Sequence, residues 1–386
     1  MKLANLNKSL ASLILIKDAN IIKQKFLIII LVSCSLFFGC NNKRNQNYSD
    51  IEYKPVASLK EQSVLKFENT DKLFIGSVRD IEVFNENIYI SDKTFSKVHV
   101  FDSKLKYVSS IGRFGQGPNE FPKAPLLTKT KKELVIIETL KDKLFFYNDK
   151  LNLIKELQLP NGYFYQISDP IFINDTIILS ATNKIIRNFN EGIKDYRTVL
   201  KIYMSSGEVK SIVPLDDEYF ENSNLMYYVR QPFSKVSLGF ENTYIIIQHA
   251  LNKLFIYNNK DELIKTFYYK PRYFKNIPNV PINYQIKNLE GIMNDYYAKM
   301  SYYCDIKFDN VNDLLVVSYR NLHPDQYKSR SFIDADNYLC IINNNYECIF
   351  DDKIDGYFGT ISNGYIYIIN EESVERLVIK KYKVIL

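Results

Sequence analysis

The sequence predicts an all-β fold: a six-bladed β-propeller of four-stranded antiparallel blades, with an N-terminal strand closing the last blade. Three observations predict it. An apolar strand, followed by an aromatic-ended strand and a polar turn, recurs along the chain. The copies centre on Ile88-Tyr89-Ile90, Val135-Ile136-Ile137, Ile177-Ile178-Leu179, Ile245-Ile246-Ile247, Leu315-Val316-Val317 and Ile366-Tyr367-Ile368, with middles 47, 42, 68, 70 and 51 residues apart. A four-stranded unit recurring at roughly 40–50 residues is the period of a propeller blade. The composition agrees: 30 Tyr and 25 Phe in 386 residues, with 46% hydrophobic content, favour strands over helices. Lastly, the sixth copy runs out of chain while an unassigned strand, Val64–Glu68, precedes the first blade.

Residues 26–38 are an apolar run of 13 without a charge, directly behind Lys23 and Lys25. That is short for a bilayer span and has the layout of a secretory leader. The run ends in Phe38-Gly39-Cys40. A small residue before a cysteine at this junction resembles the bacterial lipobox, which implies a signal peptide over 1–39 and a lipid on Cys40. Phe38 stands where that motif usually has a small residue, and a plainly cleaved signal or a membrane anchor is the alternative. Residues 40–60 are then a tether and 61–386 the propeller. The leader holds five Lys and one Asp, so removing it lowers the net charge from +6 to +2. Such a balance gives no electrostatic reason to expect nucleic acid.

The first blade reads as an inner strand Val78–Phe84, a turn at Asn85-Glu86-Asn87, a second strand Ile88–Ser91, a third Lys97–Phe101 and an outer Tyr107–Ile111. Period-two alternation broken by Asn, Asp and Gly marks successive hairpins. Matching third strands are Lys143–Tyr147, Val199–Tyr203, Lys253–Tyr257 and Tyr338–Ile342. In the last copy, Tyr365–Ile369 and Arg376–Tyr382 leave few residues for a fourth strand. An open ring would expose strand edges, so Val64–Glu68 is expected to complete that blade. Cys340 and Cys348 flank the turn Asn343-Asn344-Asn345 and count to directly opposed positions, as a disulfide or as two packed thiols; Cys304 reads as core.

At the end of the first blade stands Gly112-Arg113-Phe114-Gly115-Gln116-Gly117-Pro118-Asn119-Glu120-Phe121. It resembles the G-x-G-P-x-E-[FY] phrase of six-bladed propeller lipoproteins of Bacteroidetes, relatives of NHL-repeat and TolB-like propellers. The resemblance spans roughly residues 60–386 and implies fold and compartment (cell envelope, outer membrane, facing the periplasm) more than chemistry. A phosphate-loop reading of the same glycines fails, because Pro118 and strand signals follow where a helix is needed.

Function would reside where loops are elaborated. From second-strand centre to third-strand end takes 12, 11 and 11 residues in blades one, two and four, but 25 and 26 in blades three and five. The insertions are Thr182–Arg197 and Tyr319–Asn337. The link beyond Tyr257 is longer still and carries a helical spacing from Ile282 to Met300 behind Pro281. All three fall on the face shared by second-to-third-strand loops and blade links, and long loops on a rigid scaffold are where binding resides. Seven of ten arginines follow them: Arg113, Arg187, Arg197, Arg230, Arg272, Arg320 and Arg330, accompanied by Tyr227, Tyr273 and Tyr327 among other tyrosines. Guanidinium forks suit carboxylates or sulfates and aromatic faces suit sugars or peptides. The competing explanation is that these side chains only pack the loops onto the ring.

His249, His323 and Asp325 could meet at the mouth as a zinc or calcium set, although nothing in their spacing requires it. His99, between Val98 and Val100, reads as a half-buried packing residue. No nucleophile–base arrangement stands out. The expectation is therefore a lipid-anchored binder of a ligand or protein partner, such as an anionic glycan or peptide, without catalysis or cofactor. The alternatives are a metal-dependent lactonase- or lyase-type enzyme and a scaffold within an outer-membrane complex.

Overall fold

Along the strand Leu134–Glu138, Leu134 and Ile136 pack against one neighbouring sheet while Val135 and Ile137 pack against the other. Successive side chains of a strand point to opposite faces, so a continuously apolar strand must be covered on both sides. Repeated in every central strand, that requirement is met by sheets standing face to face around a ring. The computed structural model describes residues 48–160, 163–165, 170–183, 197–218, 234–248, 251–276, 301–321 and 335–386.

The chain enters through β1 (Tyr48–Asp50) and β2 (Ser58–Glu68). Blade one is β3 (Val78–Phe84), β4 (Asn87–Asp92), β5 (Lys97–Phe101) and β6 (Tyr107–Ile111). Blade two is β7 (Leu126–Lys129), β8 (Leu134–Glu138), β9 (Lys143–Tyr147) and β10 (Leu153–Gln158). Blade three comprises β11 (Tyr163–Tyr165), β12 (Ile171–Ile173), β13 (Thr176–Asn183), β14 (Val199–Tyr203) and β15 (Val209–Ser211); β11 and β12 both pair with β13. Blade four is β16 (Ser234–Leu238), β17 (Tyr244–Gln248), β18 (Lys253–Tyr257) and β19 (Leu263–Tyr268). Blade five is β20 (Ser301–Asp309), β21 (Leu314–Asn321), β22 (Asp336–Ile342) and β23 (Cys348–Lys353). Blade six is β24 (Tyr357–Ser362), β25 (Tyr365–Glu372) and β26 (Arg376–Ile385), with β2 as its outer strand.

The ring closes where expected. β2 pairs antiparallel with β26 from Ser58↔Ile385 to Glu68↔Arg376, and Leu65 enters the apolar core between blades six and one. Each of the six blade interfaces holds such a core among the described residues. Burial of full-length aromatics such as Tyr89, Tyr244, Tyr303 and Tyr319 dominates them, each contributing on the order of 2–3 kcal/mol from its apolar surface. The turn Asn85-Glu86 has both residues at positive φ (47° and 65°), the hairpin geometry that matches strand twist.

Three expectations change. Residues 48–57, assigned to the tether, are laid along the outer rim. β1 pairs parallel with β19, Tyr53 bridges Cys348, and the Val56 and Ala57 amides donate to the Ile349 carbonyl. The exposed edges of blades four and five offer unpaired backbone groups, which this segment covers. Residues 58–60 belong to the closing strand rather than the tether. Cys340 and Cys348 are not directly opposed: Ile342 faces Cys348 and Cys340 faces Asp351, because the turn closes on Asn343 and Glu347, one residue later than the Asn343-Asn344-Asn345 count assumes. Cys304 is half-buried, not core. The helical spacing from Ile282 to Met300 lies outside the described residues.

Candidate functional site

Second strands end on the elaborated face, and in five blades the last residues include a polar side chain turned inward. In blade one Asp92 accepts from the Gly76, Thr94 and Phe95 amides and from His99 Nε2 at 3.1 Å. Gln248 in blade four receives the Asp216 amide at 2.9 Å and donates to the Pro214 carbonyl at 2.8 Å. Asn321 in blade five donates to the Tyr273 carbonyl, and Glu138 in blade two accepts from the Leu140 amide. Glu372 in blade six reaches forward to the Val78 amide of blade one. Buried backbone groups must be paired, and these side chains pair those of the incoming links and loops. Their acidity differs accordingly. Burial pushes the Asp92 carboxyl up, but His99 and the amides outweigh it and hold the group below its ordinary value. Glu138 has fewer partners, and burial raises it. His99 is fully buried rather than half-buried, since its ring nitrogen serves Asp92.

Inner strands β3, β7, β20 and β24 carry a second polar group in the channel wall. Glu82 Oε1 accepts from the Val83 amide at 2.8 Å and lies 3.0 Å from Lys129 Nζ; Glu82 Oε2 lies 3.7 Å from Lys307 Nζ. Lys129 also donates to the Val83 carbonyl and Ser362, and Lys307 to Thr360. Four blades are thereby tied through one carboxylate. Burial would raise its pKa, yet Lys129 and Lys307 outweigh that and hold it below the ordinary value. A buried charge persists when paired and hydrogen-bonded in this way.

Nearer the elaborated face the same wall is different. Inner strands of blades one, five and six each bulge once, at Arg79, Cys304 and Gly359. A bulge re-aims side chains and is common beside functional sites. At Gly359 an added Cβ would come within 2.5 Å of Ile81 Cγ2 and 3.1 Å of the Tyr367 carbonyl oxygen, so only glycine fits. Arg79 is partly exposed, but its Nε is buried and has no hydrogen-bond partner among the described residues. Burial lowers its pKa, against the attraction of Asp80. Asp80, beside it in the chain, holds the Leu127 amide at 2.7 Å, and at the start of β24 Tyr357 donates to Glu372 at 2.6 Å. Arg320, at the end of β21 and 6% exposed, donates through Nε to Asn337 at 2.6 Å and through Nη1 to the Tyr302 hydroxyl at 3.2 Å. Burial first, then Glu372, pushes the Tyr357 phenol well above its usual range, while Arg320 opposes the shift. Arg79 of blade one and Arg320 of blade five are the guanidinium groups at this end of the wall, with the Asp80 and Glu372 carboxylates near them and the Tyr302 and Tyr357 hydroxyls already bonded.

The other arginines expected here are dispersed. Arg113 is 79% exposed on its side chain and pairs with Glu120 at 2.7 Å within its own link. There Glu120 also receives the Gly117 amide, and Phe121 is a fully buried plug. Gly112, at φ +73°, passes so close to Phe121 that a Cβ would lie 2.1 Å from the ring. The G-x-G-P-x-E-F phrase is thus a self-braced link. Arg197 bridges Pro214 through its backbone. Arg272 lies over the Tyr273 ring, and Tyr273 stacks at 5.0 Å on Tyr338 as a lid on the blade-four–five core. Arg187, Arg230, Arg330, Tyr227, Tyr327, His249, His323, Asp325 and Cys40 lie outside the described residues. Among the described residues no group of three metal-ligating side chains meets. Arg79, Tyr302 and Tyr357 were not expected at the mouth. The usable signal was the repeated inner-strand step Arg79-Asp80-Ile81 and Cys304-Asp305-Ile306, whose carboxylates each accept the next amide at 2.9 Å.

Comparison with known proteins agrees with this architecture. The model of the family DUF5128, described as a 6-bladed beta-propeller, matches residues 42–269. No curated protein matches the chain. Among solved structures, a member of the DUF4221 family from Bacteroides vulgatus superposes with TM-score 0.63 at 14% identity, covering 85% of this chain and 98% of that one. A protein described as exported, from Bacteroides fragilis, gives TM-score 0.56 at 14% identity over 88% and 98%. Virginiamycin B lyase from Staphylococcus aureus falls to 0.46 at 11% identity over 84% and 99%, too low to bear on chemistry. With more than half of the chain matched by the family model, the protein belongs to the six-bladed beta-propeller family DUF5128.

Proposed function

We propose that this propeller is anchored to the cell envelope through Cys40, in the outer membrane facing the periplasm, and binds an anionic ligand at the elaborated mouth without chemical conversion. The ligand class is a carboxylate-bearing glycan or peptide. The observation that supports the reading is Arg79: a guanidinium set in a bulge of the inner strand, its Nε buried and, among the described residues, without a hydrogen-bond partner. A buried donor left unpaired costs about 1–3 kcal/mol, and that cost is recovered when an acceptor arrives. Arg320, held in place by its bonds to Asn337 and to the Tyr302 hydroxyl, supplies a second guanidinium in a fixed orientation.

The test is titration of the full chain with galacturonate oligosaccharides and with short peptides bearing a free C-terminal carboxylate. Saturable binding by one class is expected, weakened at least tenfold by Arg79→Ala or Arg320→Lys and unchanged by Arg113→Ala. No saturable binding by either class, or equal binding by Arg79→Ala, overturns the reading. For the anchor, mass spectrometry of the mature N-terminus is expected to find acylated Cys40; an unmodified terminus elsewhere refutes it.

A further inference from the structure

The geometry points to Cys340 and Cys348 as a disulfide-forming pair that fastens the N-terminal segment to the blade-five interior. Three observations converge on these two residues. Their sulfurs lie 3.2 Å apart across the bulged β22–β23 pair, in direct contact and about 1.1 Å beyond bonding distance. Both are buried, at 0% and 2% exposure, in the core between blades four and five, so neither has another cysteine to meet among the described residues. Cys348 is also the residue on which the incoming segment lands. Its amide donates to the Glu52 carbonyl at 2.8 Å and its carbonyl accepts the Lys54 amide at 2.8 Å. Lys54 then pairs with Glu347 at 2.5 Å.

The register is what makes the pairing feasible. Cys348 faces Ile342, two residues along from Cys340 on the same side of the sheet, so the sulfurs meet diagonally and not across directly opposed positions. Oxidation proceeds by thiol–disulfide exchange with a low-molecular-weight or protein disulfide. One cysteine thiolate attacks that disulfide and displaces a thiolate. The second cysteine then attacks the mixed disulfide, so two protons and two electrons leave the pair and the donor becomes two thiols. Because both sulfurs are sealed in the core, exchange accompanies folding. The bond spans only the β22–β23 turn, yet it fixes the outer strand carrying the segment to the strand inside it. This inference does not depend on the ligand reading.

Full-length protein isolated from an oxidising compartment, and the same chain refolded with oxidised and reduced glutathione, is denatured in N-ethylmaleimide. It is then reduced, treated with iodoacetamide and mapped by peptide mass spectrometry. The expected result is maleimide on Cys304 and the second label on both Cys340 and Cys348. In Cys340→Ser, Cys348 is expected to take maleimide. Maleimide on all three cysteines in both preparations overturns the inference, as does continued protection of Cys348 in Cys340→Ser, which would mean a different partner.

Discussion

Glu82 and Arg79 sit three residues apart on one strand of the channel wall, both with charged groups drawn from water, and their surroundings are opposite. Glu82 meets two lysines and a backbone amide, and joins blades one, two, five and six. Arg79 occupies a bulge, and its Nε has no hydrogen-bond partner among the described residues. A buried carboxylate whose partners are all present is a brace; a guanidinium with one buried donor unpaired is, on the proposed reading, a place for a ligand. The contrast separates structural polar residues from a candidate site within a single strand.

The predictions test that separation in order of size. Glu82→Ala leaves the buried Lys307 and the half-buried Lys129 without their shared carboxylate and is expected to cost about 3–5 kcal/mol by chemical denaturation. A loss below about 1 kcal/mol would mean the lysines find water, and the brace reading fails. Asp92→Asn removes acceptor capacity facing three amides and His99, with an expected loss of about 2–3 kcal/mol. Both carboxyls titrate below their ordinary values of 4.5 and 3.8 in the folded protein. Their stabilisation is therefore complete above those values and is lost as pH falls through the lower folded values. Stability measured between about pH 6 and pH 3 should fall less steeply in Glu82→Gln than in the wild type. Glu138 has the opposite sign: its raised pKa means the folded state favours the neutral acid, so its contribution worsens as pH rises through the window between 4.5 and the folded value. Glu138→Gln, the residue blade four uses as Gln248, is expected to change stability at pH 7 by less than about 1 kcal/mol. A larger loss would show that the carboxylate is needed as such.

The blades were legible because apolar strands buried on both faces leave long, turn-punctuated runs. The first blade's strands fall within a residue of where alternation and the Asn85-Glu86-Asn87 turn place them. Ring closure was legible for a related reason, since Val64–Glu68 had no other sheet to join. The rim segment was not, because three residues pairing parallel with a distant outer strand leave no periodicity to read. Bulges were equally hidden. They arise from how adjacent blades crowd, as Gly359 against Ile81 shows, so Arg79's place at the mouth could not be counted out from a turn; Cys348 was misplaced because its turn closes on Asn343 and Glu347. Loop arginines and tyrosines misled in part: Arg113 and Tyr273 have the right chemistry for a ligand but spend it on Glu120 and Tyr338.

The most direct measurement is a paired one on Arg79→Ala and Glu82→Ala, following denaturant stability and carboxylate-ligand affinity in the same preparations. Arg79→Ala is expected to keep wild-type stability within about 1 kcal/mol and lose binding at least tenfold, while Glu82→Ala loses stability. If Arg79→Ala instead unfolds as readily as Glu82→Ala, or binds as the wild type does, the division of this strand into brace and site is wrong.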